Sequence, residues 1–264
     1  VDAIGSVTLD TTPPDAPKNL KTVGRDGLVI LNWAPCTAPD LAGYRLYRSS
    51  TPLTGFNEIA KTEFTEYRDP GLVNAQKYYF QVSSVDRAGN ESERTAAVVG
   101  MPVAPGPTPV SGAVETDTTW YAGASPYVLE GPVIVRDKAS LVIEPGTEIR
   151  SSGPGITVEG RLLAQGDGEH IIVFDAPEGK TWEGLSFVNV KEKENLVKHA
   201  RIRNAKIGVL CLASSPKIED SEFVENGTAV RVSGAFSKPK LVRNAIHKQK
   251  GAAVVIESGA QPLV

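Results

Sequence analysis

Three residues of types that carry proton-transfer chemistry stand at matching positions in the second half of the chain. His199, Asp220 and Arg243 lie 21 and then 23 residues apart, in segments whose apolar residues repeat at nearly the same steps. Histidine and aspartate can exchange protons with a reacting group, and arginine can stabilise a developing negative charge. These three residues are therefore the candidate catalytic residues of the sequence.

The residues around this row favour a structural explanation for it. At the same offsets every pair combines opposite charges, the pairs being Lys198 with Glu219, Arg201 with Glu222, and Glu225 with Lys248. Opposite charges on adjacent strands stabilise a sheet, whereas a catalytic acid pair needs two facing carboxylates whose pKa values differ. The pattern favours a ladder of ion pairs in a protein that is not an enzyme.

A second candidate site is aromatic. Trp120, Tyr121 and Tyr127 cluster within eight positions, and sugar-binding faces use exposed Trp and Tyr rings for stacking. The same residues could instead seal the open end of a repeat domain, which must be covered. We keep both interpretations, with the cap as the favoured one and carbohydrate binding as the alternative.

No cofactor and no metal site are predicted. The densest acidic segment is residues 167–170, Asp-Gly-Glu-His, and its glycine is typical of a turn. Cys36 and Cys211 lie far apart, and no Cys-x-x-Cys pair is present, which excludes the usual thiolate metal motifs. No Gly-x-Ser-x-Gly motif is present either.

The amino-acid composition excludes some classes of binding partner for this protein. The 264 residues include 28 Lys and Arg against 31 Asp and Glu, a net charge of −3, which argues against nucleic acid as the main partner. No apolar run approaches the ~18 residues that span a bilayer. With 25 Gly and 19 Pro, the chain favours many short strands over long helices.

A proline-rich segment divides the chain. Residues 101–112 contain four prolines, two glycines and no charge, as expected for an extended linker. We expect a linker at residues 102–112, one domain at residues 14–101 and another at residues 113–264.

The first domain shows short alternating runs separated by turns, the pattern of an antiparallel sandwich. Its marked features are a proline-rich start at residues 14–17, Trp33 on the second strand, the run at residues 43–48, Leu72 followed six residues later by Tyr78, and the turn at residues 85–90. This segment resembles a fibronectin type III domain, in which Leu72 and Tyr78 would match the family's tyrosine corner. The resemblance implies a β-sandwich.

The first residues resemble the end of such a domain. Residues 1–6, Val-Asp-Ala-Ile-Gly-Ser, align with residues 85–90, Val-Asp-Arg-Ala-Gly-Asn, at an offset of 84. We therefore expect residues 1–13 to be the tail of an upstream fibronectin type III repeat.

The second domain repeats with a period of about 23 residues. Pro-Lys-Ile at residues 216–218 and Pro-Lys-Leu at 239–241 are followed by Pro-Leu-Val at 262–264. Such a period indicates a coiled parallel sheet, because each unit buries its apolar residues only against its neighbours. Residues 113–264 resemble right-handed parallel β-helix proteins, a type common among secreted bacterial surface proteins. The sequence stops within a repeat, so we expect further repeats.

The fold class is thus all-β, a fibronectin type III sandwich joined to a right-handed parallel β-helix. We expect a secreted or cell-surface protein with a structural or adhesive role, acting as a rigid modular spacer or assembly component. The partners would be other protein subunits or surface polysaccharide, with no membrane span. The alternatives are a protein that binds or cleaves polysaccharide on the β-helix flank, and a subunit of an extracellular filament.

Overall fold

The computed structural model describes residues 9–190 and 194–263. The chain divides into two compact units, Val1–Ala104 and Pro105–Val264. In the described residues every regular element is a β-strand, apart from one short 3-10 turn at Ala122–Ala124. The all-β fold class is therefore confirmed.

The first unit is a seven-stranded antiparallel sandwich. Its strands are β1 (Lys18–Arg25), β2 (Leu28–Ala34), β3 (Leu41–Ser49), β4 (Asn57–Thr62), β5 (Glu66–Pro70), β6 (Tyr78–Asp86) and β7 (Val98–Gly100). One sheet has the order β1-β2-β5 and the other the order β4-β3-β6-β7. This arrangement is that of a fibronectin type III domain, as the sequence predicts.

Alternation along the strands builds the core of the sandwich. On β2, Val29, Leu31 and Trp33 are buried while their neighbours are partly exposed. The Trp33 ring meets the Tyr44 ring edge-on at 5.3 Å. The Tyr78 hydroxyl accepts the backbone N–H of Val73 at 3.1 Å, next to the buried Leu72. This hydrogen bond is the local contact expected from the resemblance of Leu72 and Tyr78 to the tyrosine corner.

The second unit is a coil of short parallel strands. Its strands are β8 (Thr108–Val114), β9 (Thr118–Trp120), β10 (Tyr127–Val135), β11 (Ser140–Ile143), β12 (Glu148–Ser151), β13 (Ile156–Val158), β14 (Arg161–Gln165), β15 (Ile172–Asp175), β16 (Leu185–Val188), β17 (Leu196–Lys198), β18 (Ala200–Arg203), β19 (Ile207–Leu212), β20 (Lys217–Glu219), β21 (Glu222–Val224), β22 (Thr228–Ser233), β23 (Lys240–Val242), β24 (Ala245–His247) and β25 (Val254–Glu257).

Each turn of the coil, here called a rung, contributes one strand to each of three faces. Face A contains β11, β14, β17, β20 and β23, face B contains β12, β15, β18, β21 and β24, and face C contains β13, β16, β19, β22 and β25. On face A, Val197 pairs with Ile218 and Ile218 with Leu241. On face B, Ile202 pairs with Phe223 and Phe223 with Ile246. The register predicted from the repeats is confirmed.

Apolar side chains stack inward in columns along the coil. On face B the column contains Ile149, Phe174, Ile202 and Phe223, all buried. On face C it contains Val158, Phe187, Cys211 and Val232, also buried. Each rung thus buries its apolar residues against the neighbouring rungs.

Residues in left-handed backbone conformation mark the corners between faces. At the corner from A to B these are His199, Asp220 and Arg243, with φ of 45°, 49° and 52°. At the corner from B to C they are Asn204, Glu225 and Lys248, with φ of 56°, 58° and 57°. Left-handed conformation costs a non-glycine residue about 1–2 kcal/mol. Neighbouring interactions must offset this cost at each corner.

Polar side chains, of which Ser221 and Asn226 are buried, provide those interactions. The Ala200 N–H donates to Ser221 Oγ at 3.1 Å, and the Ser221 N–H donates to Asn244 Oδ1 at 3.1 Å. At the next corner the Ala205 N–H donates to Asn226 Oδ1 at 2.9 Å. Each of these residues directly follows a left-handed residue, so the side chain of one rung satisfies the backbone of the rung before it. We call these side chains the corner ladders.

The structure differs from the expected linker. Pro102 and Val103 are buried in the first unit, where the Val103 N–H donates to Arg25 O at 3.2 Å. From Thr108 on, the segment is β8, which pairs in parallel with β10. The prolines did not prevent strand formation because β8 lies at the edge of its sheet, where a proline is tolerated.

The structure does not describe the two ends of the chain in full. The tail of an upstream repeat predicted at residues 1–13 rests on the match of residues 1–6. Residues 1–8 lie outside the described residues, as do residues 191–193 and residue 264. On the last described rung Ile256, which pairs with the buried Val232, is 53% exposed.

Replacing Asn226 tests the corner ladders. Asn226 is fully buried, accepts from the Ala205 N–H and donates to Ile202 O at 3.0 Å. We expect Asn226→Ala to lower the free energy of unfolding by about 2–4 kcal/mol, because two buried backbone groups lose their partners. Urea unfolding followed through the fluorescence of Trp120 and Trp182 measures this. The control Gln165→Ala, at an exposed strand position, should change it by less than about 0.5 kcal/mol; equal effects would contradict the prediction.

Candidate functional site

The predicted catalytic row comes together at one corner of the coil. Asp220 and Arg243 form a two-pronged ion pair, with Nε donating to Oδ1 at 2.6 Å and Nη2 donating to Oδ2 at 2.8 Å. Lys198 Nζ lies 3.9 Å from Asp220 Oδ2, and the His199 N–H donates to Glu219 O at 3.3 Å. The Asp220 carboxylate is therefore held by cations on both neighbouring rungs.

The neighbouring pairs follow the same pattern. Arg201 Nε donates to Glu222 Oε2 at 2.5 Å, and His247 Nε2 lies 2.8 Å from Glu222 Oε1. Lys198 and Glu219 stand opposite each other in register. Glu225 and Lys248 occupy equivalent corner positions, but among the described residues no ion pair joins them. We call the set formed by Lys198, Arg201, Asp220, Glu222, Arg243 and His247 the flank ladder.

The ladder fixes the protonation of its acids. Hydrogen bonds from Arg243 lower the pKa of Asp220, with further lowering by the nearby His199 and Lys198 charges. Hydrogen bonds from Arg201 and His247 likewise lower the pKa of Glu222. A general acid or base works best with a pKa near the operating pH. Both carboxylates are shifted away from it, so the row acts as ion pairs between rungs.

The aromatic cluster lies inside the first rungs. Trp120 and Tyr127 are each 4% exposed, and their rings stack at 4.7 Å with an angle of 11° between their planes. The Tyr121 N–H donates to the Tyr127 hydroxyl at 2.8 Å, and burial raises the pKa of Tyr127 to about 12. The faces of the Trp120 and Tyr127 rings are covered, and Tyr121 is half-buried. The buried rings of Trp120 and Tyr127 offer no open face on which a sugar could stack.

The coil also carries a groove that was not predicted from the sequence. It has a volume of about 610 Å³, and it opens where residues 176–184 extend the corner between β15 and β16. Its charged and amide lining residues are Glu148, Arg150, Asp175, Glu178, Arg203, Asn204 and Glu225. We call it the flank groove. The longer spacing of this rung is visible in the sequence, but which side chains would meet there is not.

Asp175 is the most constrained side chain in the flank groove. Its Oδ1 accepts from Asn204 Nδ2 at 2.9 Å and from the Ala176 N–H at 2.7 Å. Arg203 Nε lies 3.0 Å from its Oδ2, and Arg150 stands opposite it in register. Glu178 and Glu225 form no hydrogen bond or ion pair with the described residues. The groove therefore offers free acceptors beside a fixed carboxylate, which suits a ligand rich in hydroxyl groups.

One carboxylate cluster could approach a cation. In the described residues Asp10, Asp40 and Asp86 place one oxygen each within 4.8 Å of one another. Calcium takes six to eight oxygen ligands, and the two Asp86 oxygens already accept from the Asn90 N–H and Nδ2, both at 2.8 Å. Burial opposes ionisation of Asp86, yet these hydrogen bonds leave its pKa lowered. The contacts explain the cluster as part of the turn that follows β6.

The acidic segment at residues 167–170 is a turn. Asp167 Oδ1 accepts the backbone N–H groups of Glu169 and His170 at 2.9 and 2.7 Å. These two hydrogen bonds lower the pKa of Asp167. Cys36 and Cys211 are both free thiols, and burial raises the pKa of Cys211 to about 12.

Comparison with known proteins finds related sequence over about a third of the chain. No protein-family model matches it. An amylopullulanase of Thermoanaerobacterium saccharolyticum is 34% identical over 97 residues, which are 36% of this chain and 7% of the relative. Exoglucanase B of Cellulomonas fimi is 34% identical over 95 residues, 34% of this chain and 8% of the relative. The chain thus spans less than a tenth of the length of these relatives.

Two solved structures match a similar share of this chain. An Fn3-like protein from Clostridium thermocellum is 26% identical, with 36% of this chain and 97% of that chain covered and a TM-score of 0.32. A β-1,2-glucanase from Parabacteroides distasonis is 25% identical, with 37% of this chain and 14% of that chain covered and a TM-score of 0.33.

The flank ladder should make stability depend on pH. The folded chain lowers the pKa of Asp220, so the Asp220 contribution is present above the ordinary aspartate pKa of ~3.9 and is lost as pH falls through the folded value. We expect Asp220→Asn to unfold more easily than the wild type at pH 7, with the gap closing as pH falls from 5 towards 2. Urea unfolding across this range measures the gap.

Glu178→Gln is the matched control for Asp220→Asn, since Glu178 has no partner among the described residues. Its difference from the wild type should stay near zero at every pH. A gap for Asp220→Asn that keeps its full size at the lowest pH would contradict an ion-pair role.

Proposed function

We propose that this chain is a non-catalytic part of a secreted bacterial protein associated with carbohydrate. In this proposal the coil serves as a structural spacer, and the sandwich accompanies it as in carbohydrate-active proteins. The sequence likeness to an amylopullulanase and an exoglucanase supports the association with carbohydrate. No helix among the described residues is long and apolar enough to cross a membrane.

The flank ladder is the observation that carries the non-catalytic role. Asp220 contacts Lys198 and Arg243, which lie on the two adjacent rungs. Glu222 likewise contacts Arg201 and His247. Polysaccharide hydrolysis by paired carboxylates requires one acid with a raised pKa beside one that stays ionised. Both ladder acids have lowered pKa values instead. The row therefore supports cohesion between rungs better than catalysis.

The flank groove favours a second candidate function, polysaccharide binding or cleavage on the coil. Four carboxylates and two arginines line it, with Asp175 fixed by Asn204 and Arg203. Its net negative charge disfavours polyanions such as polyuronates. A neutral polysaccharide with many hydroxyl groups is the ligand class that would suit it.

An assay for sugar release separates these two functions. We expect the chain, incubated with pullulan and with a soluble β-glucan, to release no reducing sugar above a heat-denatured sample. Release that disappears in Asp175→Asn and persists in Asp220→Asn would overturn the non-catalytic proposal and assign catalysis to the flank groove. The two variants serve as matched controls, because each removes one aspartate charge from the coil.

A further inference from the structure

The sandwich carries an exposed aromatic ring on a fixed turn. Phe64 is 76% exposed and lies between β4 and β5. Its N–H donates to Thr62 Oγ1 at 3.1 Å, and the Trp33 N–H donates to the carbonyl of the adjacent Thr65 at 3.1 Å. The turn is therefore tied both to the preceding strand and to the core strand β2. Because its backbone is already fixed, the turn loses little conformational entropy when a ligand stacks on the ring.

Phe64 forms one side of a cleft of about 570 Å³, whose other lining residues include Gly43, Tyr44, Lys61 and Glu63. We call it the Phe64 cleft. A side chain at Gly43 would place its Cβ 2.7 Å from Thr62 O, so only glycine allows the two backbones to meet at the floor. Single exposed apolar residues are common on protein surfaces. Phe64 differs because a preformed cleft lies beside its ring.

Hydrogen-bond donors and acceptors line the cleft together with the Phe64 ring. Lys61 is exposed, and its Nζ lies 3.7 Å from Glu58 Oε1. Arg45 donates to Glu91 at 2.8 Å. Glu63 is exposed and makes no hydrogen bond or ion pair with the described residues. The rim thus presents a free carboxylate and an ammonium group beside an apolar ring, and its positive charges are largely matched by nearby acids.

This combination fits a neutral glycan better than other occupants. A pyranose ring offers an apolar C–H face for stacking and hydroxyl groups that both donate and accept. Balanced rim charges do not favour a polyanion. A second protein copy would need about 800 Å² per partner, and Phe64 with the adjoining cleft offers a much smaller apolar surface.

We propose that the Phe64 cleft is a binding site for a neutral glucan chain, with Phe64 as the stacking platform and Lys61 and Glu63 as hydrogen-bonding groups. This inference rests on the proposed association with carbohydrate and names the surface that mediates it. The Phe64 cleft and the flank groove lie in different domains and have different lining residues. Different substitutions therefore test them.

Affinity electrophoresis of the full chain in gels containing pullulan or a soluble β-glucan tests the site. We expect the wild type to be retarded by at least one of these polysaccharides. Phe64→Ala should weaken the affinity about tenfold, whereas Phe64→Trp should keep it. Leu53→Ala is the matched control, because Leu53 is 87% exposed in the same domain but does not line the cleft; its affinity should equal that of the wild type.

Each outcome has a distinct meaning. If the wild type is retarded and Phe64→Ala is retarded equally, the Phe64 cleft is not the site, while the association with carbohydrate stands. If Leu53→Ala loses as much affinity as Phe64→Ala, the effect is not specific to the cleft, which also overturns the site. If neither polysaccharide retards the wild type, the proposed association itself fails. Phe64 is exposed, so its replacement should leave thermal unfolding nearly unchanged.

Discussion

The coil depends on how its corners satisfy backbone hydrogen bonds. A parallel sheet is continuous along each face, but at a corner the chain turns in left-handed conformation and the regular ladder is interrupted. The corner ladders repair the interruption, since Ser221, Asn226 and Asn244 each accept a backbone N–H from the rung before them. Buried N–H groups without partners would cost about 1–3 kcal/mol each. Stacking of the rungs in one register is the arrangement that avoids this cost.

Register in turn decides the electrostatics of the flank. Residues 194–214 carry four Lys and Arg against one acid, residues 215–237 carry two against four, and residues 238–260 carry five against one. An acidic rung therefore lies between two basic rungs. Because the corner ladders hold these rungs in place, Asp220 and Glu222 meet basic side chains on both sides. The same constraint that builds the coil thus places Asp220 and Glu222 in contacts between rungs.

Much of this architecture is readable in the sequence, because repeats and strand alternation are local patterns. The steps from Ile218 to Leu241 and from Phe223 to Ile246 give the register directly. Features that depend on several distant segments are not readable in this way. Strand β8 forms within a proline-rich segment because β10 offers it an edge. The flank groove needs the inserted residues 176–184, and the exposure of Phe64 depends on how its turn is tied to Trp33. The burial of Trp120 and Tyr127 likewise follows from packing, not from their spacing.

The proposed function assigns different roles to the two domains. The sandwich would bind a glucan, and the flank ladder of the coil would hold its rungs together. Hydrogen exchange of the full chain, measured with and without saturating pullulan or soluble β-glucan, tests this division most directly. We expect slower exchange at residues 42–45 and 61–65 and unchanged exchange across the flank ladder and the flank groove. Slower exchange at Asp175, Asn204 and Glu225 with none around Phe64 would contradict it and place carbohydrate recognition on the coil.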